Sequence, residues 1–118
     1  LSARHNNKRA QSMQQNRPSS FTSFAEFYPY YLSEHKNRTS RRLHFCGTLA
    51  VLSIAACVLF GVINAWWLLA LPLCGYGFAW LGHFVFEKNR PATFQHPFYS
   101  LVGDFVMFKD MLIGRIAW

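Results

Sequence analysis

The feature that most constrains this chain is a long stretch without a charged side chain. From Leu43 to Phe86 the sequence contains no Asp, Glu, Lys or Arg. A water-exposed helix needs a polar face, so a soluble domain of 118 residues rarely carries forty-four consecutive uncharged residues. The mean hydropathy of the whole chain is only +0.07, because the charges are concentrated outside this stretch. The sequence therefore predicts an integral membrane protein.

Turn residues divide this stretch into two spans. The first is predicted from Leu43 to Val62 and the second from Ala65 to Phe86, each near the roughly 20 residues that a crossing needs. Basic residues precede the first span and follow the second, whereas the turn over residues 61–64 has none. The positive-inside rule then places both ends of this helical hairpin in the cytoplasm. We expect a multi-pass protein of a bacterial inner membrane.

The flanking segments predict two further helices and an arm. The segment Ser23–Glu26 matches a capping box and opens an aromatic-rich helix suited to the membrane interface. Residues 98–118 are apolar but carry four charges, which favours an amphipathic or re-entrant helix over a third crossing. Residues 1–20 predict a disordered polar arm, of which 1–12 are treated as an upstream extension or expression remnant. Residues 21–118 are then one membrane-embedded domain of the all-α class.

Charge and cysteine usage exclude some functions. A net charge of +7 and 18% aromatic residues would suit nucleic-acid binding. The Lys and Arg residues flank the apolar spans, however, where positive charge is expected in any membrane protein, so we expect no nucleic-acid partner.

The three cysteines lie inside the spans without paired spacing and are interpreted as buried thiols. The sequence leaves oligomerisation open.

Four histidines lie near the cytoplasmic end of the predicted hairpin. His44 and His83 are equally far from the turn, so two continuous helices bring them to the same depth. His35 precedes the first span and His96 follows the second, so both can fold back over that end. Glu87 lies four residues after His83, on the same face of a helix. Because neutral imidazole binds iron, zinc, copper and nickel, we predict a metal site at these histidines.

Simpler interpretations stand beside this one. A single histidine at a membrane interface is more often structural, and Arg41, Arg42 and Arg90 are by default cytoplasmic anchors. The functional alternative for these arginines is to bind the carboxylate of a fatty acid or an anionic lipid. Two rival functions remain open: a b-type haem-binding membrane protein, and a non-enzymatic membrane or lipid-binding scaffold. A zinc hydrolase is less favoured, because no serine or cysteine nucleophile arrangement accompanies the histidines.

Two segments resemble a known family of small membrane proteins. They are FYPYYLSEHKNRTSRRLH over residues 27–44 and GHFVFEKNRPA over residues 82–92, and the resemblance extends over residues 24–112. In many genomes this family is a domain of unknown function, and its characterised fungal member acts in the conversion of phytosphingosine to odd-numbered fatty acids. The resemblance implies an iron(II)-dependent dioxygenase that uses molecular oxygen to remove one carbon from a 2-hydroxy fatty acid.

The resemblance also implies roles for individual residues. His35, His44 and His83 fall on the family's histidine positions and are implied as ligands of Fe(II). Glu87 falls on the family's glutamate, with Asn37 close by, and we take both as candidate catalytic residues. The implied substrate keeps its acyl chain in the bilayer while its head group meets the metal. The metal would lie just below the basic rim, which is the set of arginines Arg41, Arg42 and Arg90 at the cytoplasmic end.

Overall fold

The computed structural model describes residues 20–118, and this part of the chain is helical, without a β-strand. Its four α-helices are α1 (Phe24–Ser33), α2 (Arg38–Leu59), α3 (Ala70–Leu81) and α4 (Pro97–Leu112). Three shorter helical pieces join them: a 3₁₀ turn at Ala65–Leu69, a π-helical segment at Gly82–Glu87 and a 3₁₀ turn at Ala92–Phe94. The all-α prediction is confirmed for the described residues. Apart from Ser20, the predicted arm lies outside them.

Two helical stretches are long and apolar enough to cross a membrane. They are Arg38–Leu59, with 22 residues, and Ala65–Glu87, with 23. Both overlap the predicted spans. The first begins earlier than predicted because Asn37 is its N-cap: the Asn37 side chain accepts a hydrogen bond of 3.2 Å from the backbone N–H of Ser40.

These two stretches pack side by side and run in opposite directions. Gly82 of the second stretch lies against Ser40 near the start of the first, and Gly75 lies against Val51 farther along the first. Residue numbers therefore rise along one helix as they fall along the other. A Cβ atom at position 82 would lie 2.8 Å from Ser40 Oγ and 3.3 Å from Ser40 Cα. Only glycine therefore permits this close approach.

Much of the apolar surface of the two stretches faces outward. Six large side chains around the turn between them are more than two-thirds exposed: Leu59, Phe60, Val62, Trp66, Leu69 and Leu73. Monomeric soluble proteins rarely expose apolar patches of this extent. This surface therefore suits contact with lipid.

The buried core lies at the opposite end, between α1 and α4. Phe27 and Tyr31 of α1 pack with Met107 and Met111 of α4 and with Ala92. At 16 residues, α4 is shorter than a crossing requires. Its buried face holds it against α1, and this packing covers the ends of the two long stretches that carry the histidines.

Candidate metal centre

Three of the four predicted histidines form a buried cluster. The ring centroids of His35, His44 and His83 are separated by 4.4, 4.5 and 4.9 Å. Their exposed fractions are only 2 to 4%. One ring nitrogen from each lies within 4.8 Å of the other two. Among residues 20–118, these are the side chains of metal-binding type that converge in a group of three.

Each histidine is supplied by a different element. His35 lies in the connection between α1 and α2, His44 in the second turn of α2, and His83 in the π-helical segment. The close contact of Gly82 with Ser40 brings the last two elements together directly beside the cluster. The arrangement thus depends on packing between helices, because these residues are distant in sequence.

Hydrogen bonds on the outer side of two rings decide which nitrogen carries the proton. Nδ1 of His35 lies 2.6 Å from the backbone oxygen of Tyr31, and Nδ1 of His44 lies 2.8 Å from that of Ser40. A carbonyl oxygen can only accept a hydrogen bond, so both Nδ1 atoms must donate. Each Nε2 then retains its lone pair, and the two Nε2 atoms face each other at 3.1 Å.

An amide side chain fixes His83 in the same way. Nδ1 of His83 lies 2.7 Å from Oδ1 of Asn89. The Asn89 amide nitrogen donates to the backbone oxygen of Glu34 at 3.0 Å and to its carboxylate Oε2 at 2.9 Å. Since the amide nitrogen is engaged as a donor, Oδ1 is the acceptor and Nδ1 of His83 donates. All three rings are therefore left with Nε2 free to bind an ion.

This arrangement fits a metal ion. Two lone pairs that face each other at 3.1 Å repel unless a cation lies between them. Imidazole nitrogens bind transition metals at about 2.0–2.1 Å, so two ligands of one ion lie roughly 3 Å apart. Ring N–H groups that donate to carbonyl or amide oxygens are the usual support of metal-bound histidines. The three histidines can therefore hold one ion together.

The surroundings of His35 favour its neutral form. Burial, followed by the nearby rings of His44 and His83, holds the pKa of His35 well below its usual range. The ring of Tyr31 stacks on His35 with a centroid distance of 4.1 Å, and its hydroxyl donates to Asp104. Burial raises the pKa of Asp104 to about 6, against the opposing effect of this hydrogen bond. The neutral imidazole favoured here is the form that binds metals.

The predicted catalytic pair and one arginine lie beside the cluster. Oε1 of Glu87 accepts a hydrogen bond of 2.6 Å from the backbone N–H of Asn37, which joins the start of α2 to the end of the π-helical segment. Nη1 of Arg41 donates to the backbone oxygens of His35 at 3.3 Å and Lys36 at 2.8 Å. These contacts hold the backbone at His35 and at the two residues that follow it.

The other predicted residues are not members of the three-histidine group. Arg42 donates to the backbone oxygen of Trp118 at 3.4 Å and its guanidinium lies over the Trp118 ring at 5.2 Å. Arg90 is exposed. His96, the fourth predicted ligand, is not in the three-histidine group; its ring contacts that of Phe21, with centroids 5.1 Å apart.

Sequence reasoning missed the residues that orient the rings. Asn89 lies within one of the two motif segments, six residues after His83, but its role depends on a left-handed backbone at Lys88, where φ is 55°. The helical spacing of the aromatic residues in α1 predicts a buried face that includes Tyr31. That spacing does not predict that the Tyr31 ring stacks on His35. The motif was therefore informative about position, whereas the hydrogen bonds required the fold.

Fold and site define an all-helical protein with two membrane-length helices and a buried three-histidine cluster that can bind a metal ion. A family model described as 2-hydroxy-palmitic acid dioxygenase Mpo1-like matches residues 21–116, and the chain belongs to this Mpo1-like family. This confirms the family resemblance of the two motif segments. Comparisons with curated proteins and with solved structures found no match. The description of the family indicates a dioxygenase of 2-hydroxy fatty acids.

Proposed function

We propose that this protein is an iron(II)-dependent membrane dioxygenase that uses molecular oxygen to remove one carbon from 2-hydroxy fatty acids. The observation that carries the proposal is the convergence of one ring nitrogen from each of three buried histidines in a chain of the Mpo1-like family. His35, His44 and His83 would hold the iron. When bound, the iron would supply open coordination positions for oxygen and for the hydroxyl and carboxylate of the substrate.

The membrane arrangement is part of the proposal. The two long stretches would cross a bacterial inner membrane as a hairpin, with both ends cytoplasmic and with α1 and α4 at the cytoplasmic interface. Support comes from their length and exposed apolar surface, and from the basic residues at the end that carries the histidines. In this arrangement a fatty acid keeps its tail in the bilayer while its head group reaches the cluster.

The polar residues beside the cluster would have supporting roles. The bond between Glu87 and the backbone of Asn37 holds the elements of His44 and His83 together, so we propose that this pair positions the ligands. Exposed Arg90 would attract the substrate carboxylate at the basic rim. Its neighbours in the predicted anchor set, Arg41 and Arg42, would contribute positive charge there.

The geometry disfavours the haem alternative. In a b-type site with two axial histidines, the porphyrin ring lies between the imidazoles. The rings of His35, His44 and His83 lie directly against one another, with centroids 4.4 to 4.9 Å apart, which leaves no space for a porphyrin between them. The scaffold alternative makes a different prediction: no metal, and histidines that can be replaced without consequence.

Replacement of single histidines tests the proposal. The full chain, loaded anaerobically with Fe(II), should retain stoichiometric iron and consume oxygen when 2-hydroxy-palmitic acid is added. His44→Ala and His83→Ala each remove one of three ligands, so iron retention should fall at least about ten-fold and oxygen uptake should be lost. Elemental analysis and an oxygen electrode measure these effects.

His96→Ala is the matched control for these variants. Its ring lies outside the cluster, so this variant should keep its iron and its oxygen uptake. A His44→Ala protein with full iron and full turnover would remove that residue from the site. Absence of iron from the unsubstituted chain, together with freely replaceable histidines, would instead support the scaffold.

A further inference from the structure

A cavity of about 240 Å³ lies between α2, α3 and α4. On α2 its lining runs from His44 to Val51, which are seven residues apart and therefore on one helical face. On α3 it includes Leu71 and Gly75, which are four residues apart on one face of that helix. Asp104 of α4 completes one end. The cavity is thus bordered by one face of each of three helices.

The cavity changes in polarity along its length. His44 and Asp104 form its polar end, and both also line a small pocket whose wall includes all three histidines of the cluster. Toward Val51 and Leu71 the lining is apolar. Seven residues of helix separate His44 from Val51, a distance of about 10 Å along the axis of α2. The cavity therefore leads from the histidine cluster toward the apolar middle part of the two membrane-length stretches.

We infer that this cavity binds the hydrocarbon tail of the substrate and that its wall at Gly75 limits the tail length. The inference rests on the proposed function, which places a fatty acid head group at the histidines. An apolar tail attached to that head group needs an apolar space that begins at His44, and this cavity provides it. Tyr76 and Phe105 line its edge and are 48% and 38% exposed, so the tail can enter sideways from lipid.

Two glycines of α3 provide a matched test of the wall. A Cβ atom at Gly75 would meet only Val51 Cγ2, at the ordinary contact distance of 3.6 Å, so a larger side chain there can occupy the cavity. Gly77 does not line the cavity, and a Cβ atom there meets nothing within 4 Å. Substitutions at the two positions remove the same residue from the same helix, and only the first one fills the cavity.

The first measurement is oxygen uptake by Gly75→Leu and Gly77→Leu with 2-hydroxy acids of different length. Gly75→Leu should lower kcat/KM for 2-hydroxy-palmitic acid by about ten-fold or more, but that for 2-hydroxy-octanoic acid by less than about two-fold. Gly77→Leu should change neither value. An unchanged length preference in a Gly75→Leu protein that keeps its iron and helicity would overturn the inference.

The second measurement uses the unsubstituted chain and needs no turnover. A 2-hydroxy-palmitic acid analogue with a diazirine near the end of its tail is photolysed with the protein, and labelled residues are mapped by mass spectrometry. Labelling should concentrate at Val51 and Leu71 and should be competed by unlabelled 2-hydroxy-palmitic acid. Labelling confined to outward-facing Leu69 and Leu73, without competition, would show general lipid contact and overturn the inference.

The two measurements separate this inference from the proposed function. Competed labelling in the cavity without oxygen uptake would retain the tail site and contradict the dioxygenase. Oxygen uptake with labelling elsewhere would retain the dioxygenase and contradict the tail site.

Discussion

Asn89 illustrates how one side chain can set the chemistry of another. Its amide oxygen accepts the Nδ1 proton of His83, while its amide nitrogen donates twice to Glu34. This fixes both the tautomer and the orientation of the His83 ring. His35 and His44 obtain the same result from backbone carbonyls, which no substitution of a side chain removes. Among these three hydrogen-bond partners of the Nδ1 atoms, Asn89 is therefore the one that a side-chain substitution can remove without altering a ligand.

We predict that Asn89→Leu weakens metal binding by about ten- to a hundred-fold, the usual effect of losing the partner of a ligand's outer nitrogen. Competition with a coloured chelator measures the affinity. Asn64→Leu is the matched control, because Asn64 caps the 3₁₀ turn at the far end of the helices by accepting a 2.9 Å bond from the backbone N–H of Trp66. Equal affinities in the two variants would contradict the role given to Asn89.

The cluster could be predicted in part from single residues. The equal distances of His44 and His83 from the turn, and the position of His35 just before the first span, were sufficient to predict their convergence. The same reasoning included His96, because a loop residue can fold back in several directions. The sequence does not reveal that direction: the turn at Ala92–Phe94 and the start of α4 place its ring against Phe21.

At the scale of the elements, the regular period of an α-helix does not describe the segment that carries His83. The expectation that Glu87 lies on the same helical face as His83 assumed 3.6 residues per turn, but the segment Gly82–Glu87 is π-helical and therefore more widely wound. His83 hydrogen-bonds with the side chain of Asn89, and Glu87 with the backbone N–H of Asn37. π-helical segments occur frequently at functional sites, and the amino-acid composition does not predict where they form. The long spans, by contrast, were predictable because apolar length is a strong signal.

Close packing between the elements leads to a prediction at Gly82. In Gly82→Ala the new Cβ atom would lie 3.3 Å from Ser40 Cα as well as 2.8 Å from its hydroxyl, and backbone cannot move aside as a flexible side chain can. We expect a loss of about 1–3 kcal/mol in the free energy of unfolding. Weaker iron retention should accompany it, because the adjacent His83 must shift.

Unfolding in mild detergent, followed by circular dichroism, measures this loss. Gly77→Ala is the control: its methyl group enters open space, and replacing a helical glycine by alanine should be neutral or stabilising by up to about 1 kcal/mol. If Gly82→Ala were as stable as Gly77→Ala, the close approach to Ser40 would not be a constraint on the fold.

The whole molecule is polarised along its helices. At one end, hydrogen bonds from Tyr28 to Asp110 and from Tyr31 to Asp104 join α1 to α4 over the histidine cluster. At the other end the side chains around the turn are apolar and exposed. Asp104 and Asp110 are two of the four charges that made a third crossing less favoured. They therefore hold α4 against α1 over the histidine cluster. Their presence was visible in the sequence, but their tyrosine partners, more than seventy residues away, were not.

This polarity predicts the orientation in the membrane. In a chain whose native cysteines are replaced by alanine, Val62→Cys at the turn and Gln95→Cys in the connection before α4 provide two exposed thiols, one between the two long stretches and one after the second. Because basic residues flank only the histidine end, a membrane-impermeant maleimide added to intact bacterial cells should label Val62→Cys. Gln95→Cys should react only after permeabilisation. The cysteine-free chain is the control. The reverse pattern would contradict the orientation, and labelling of both thiols in intact cells would contradict a hairpin that crosses the membrane twice.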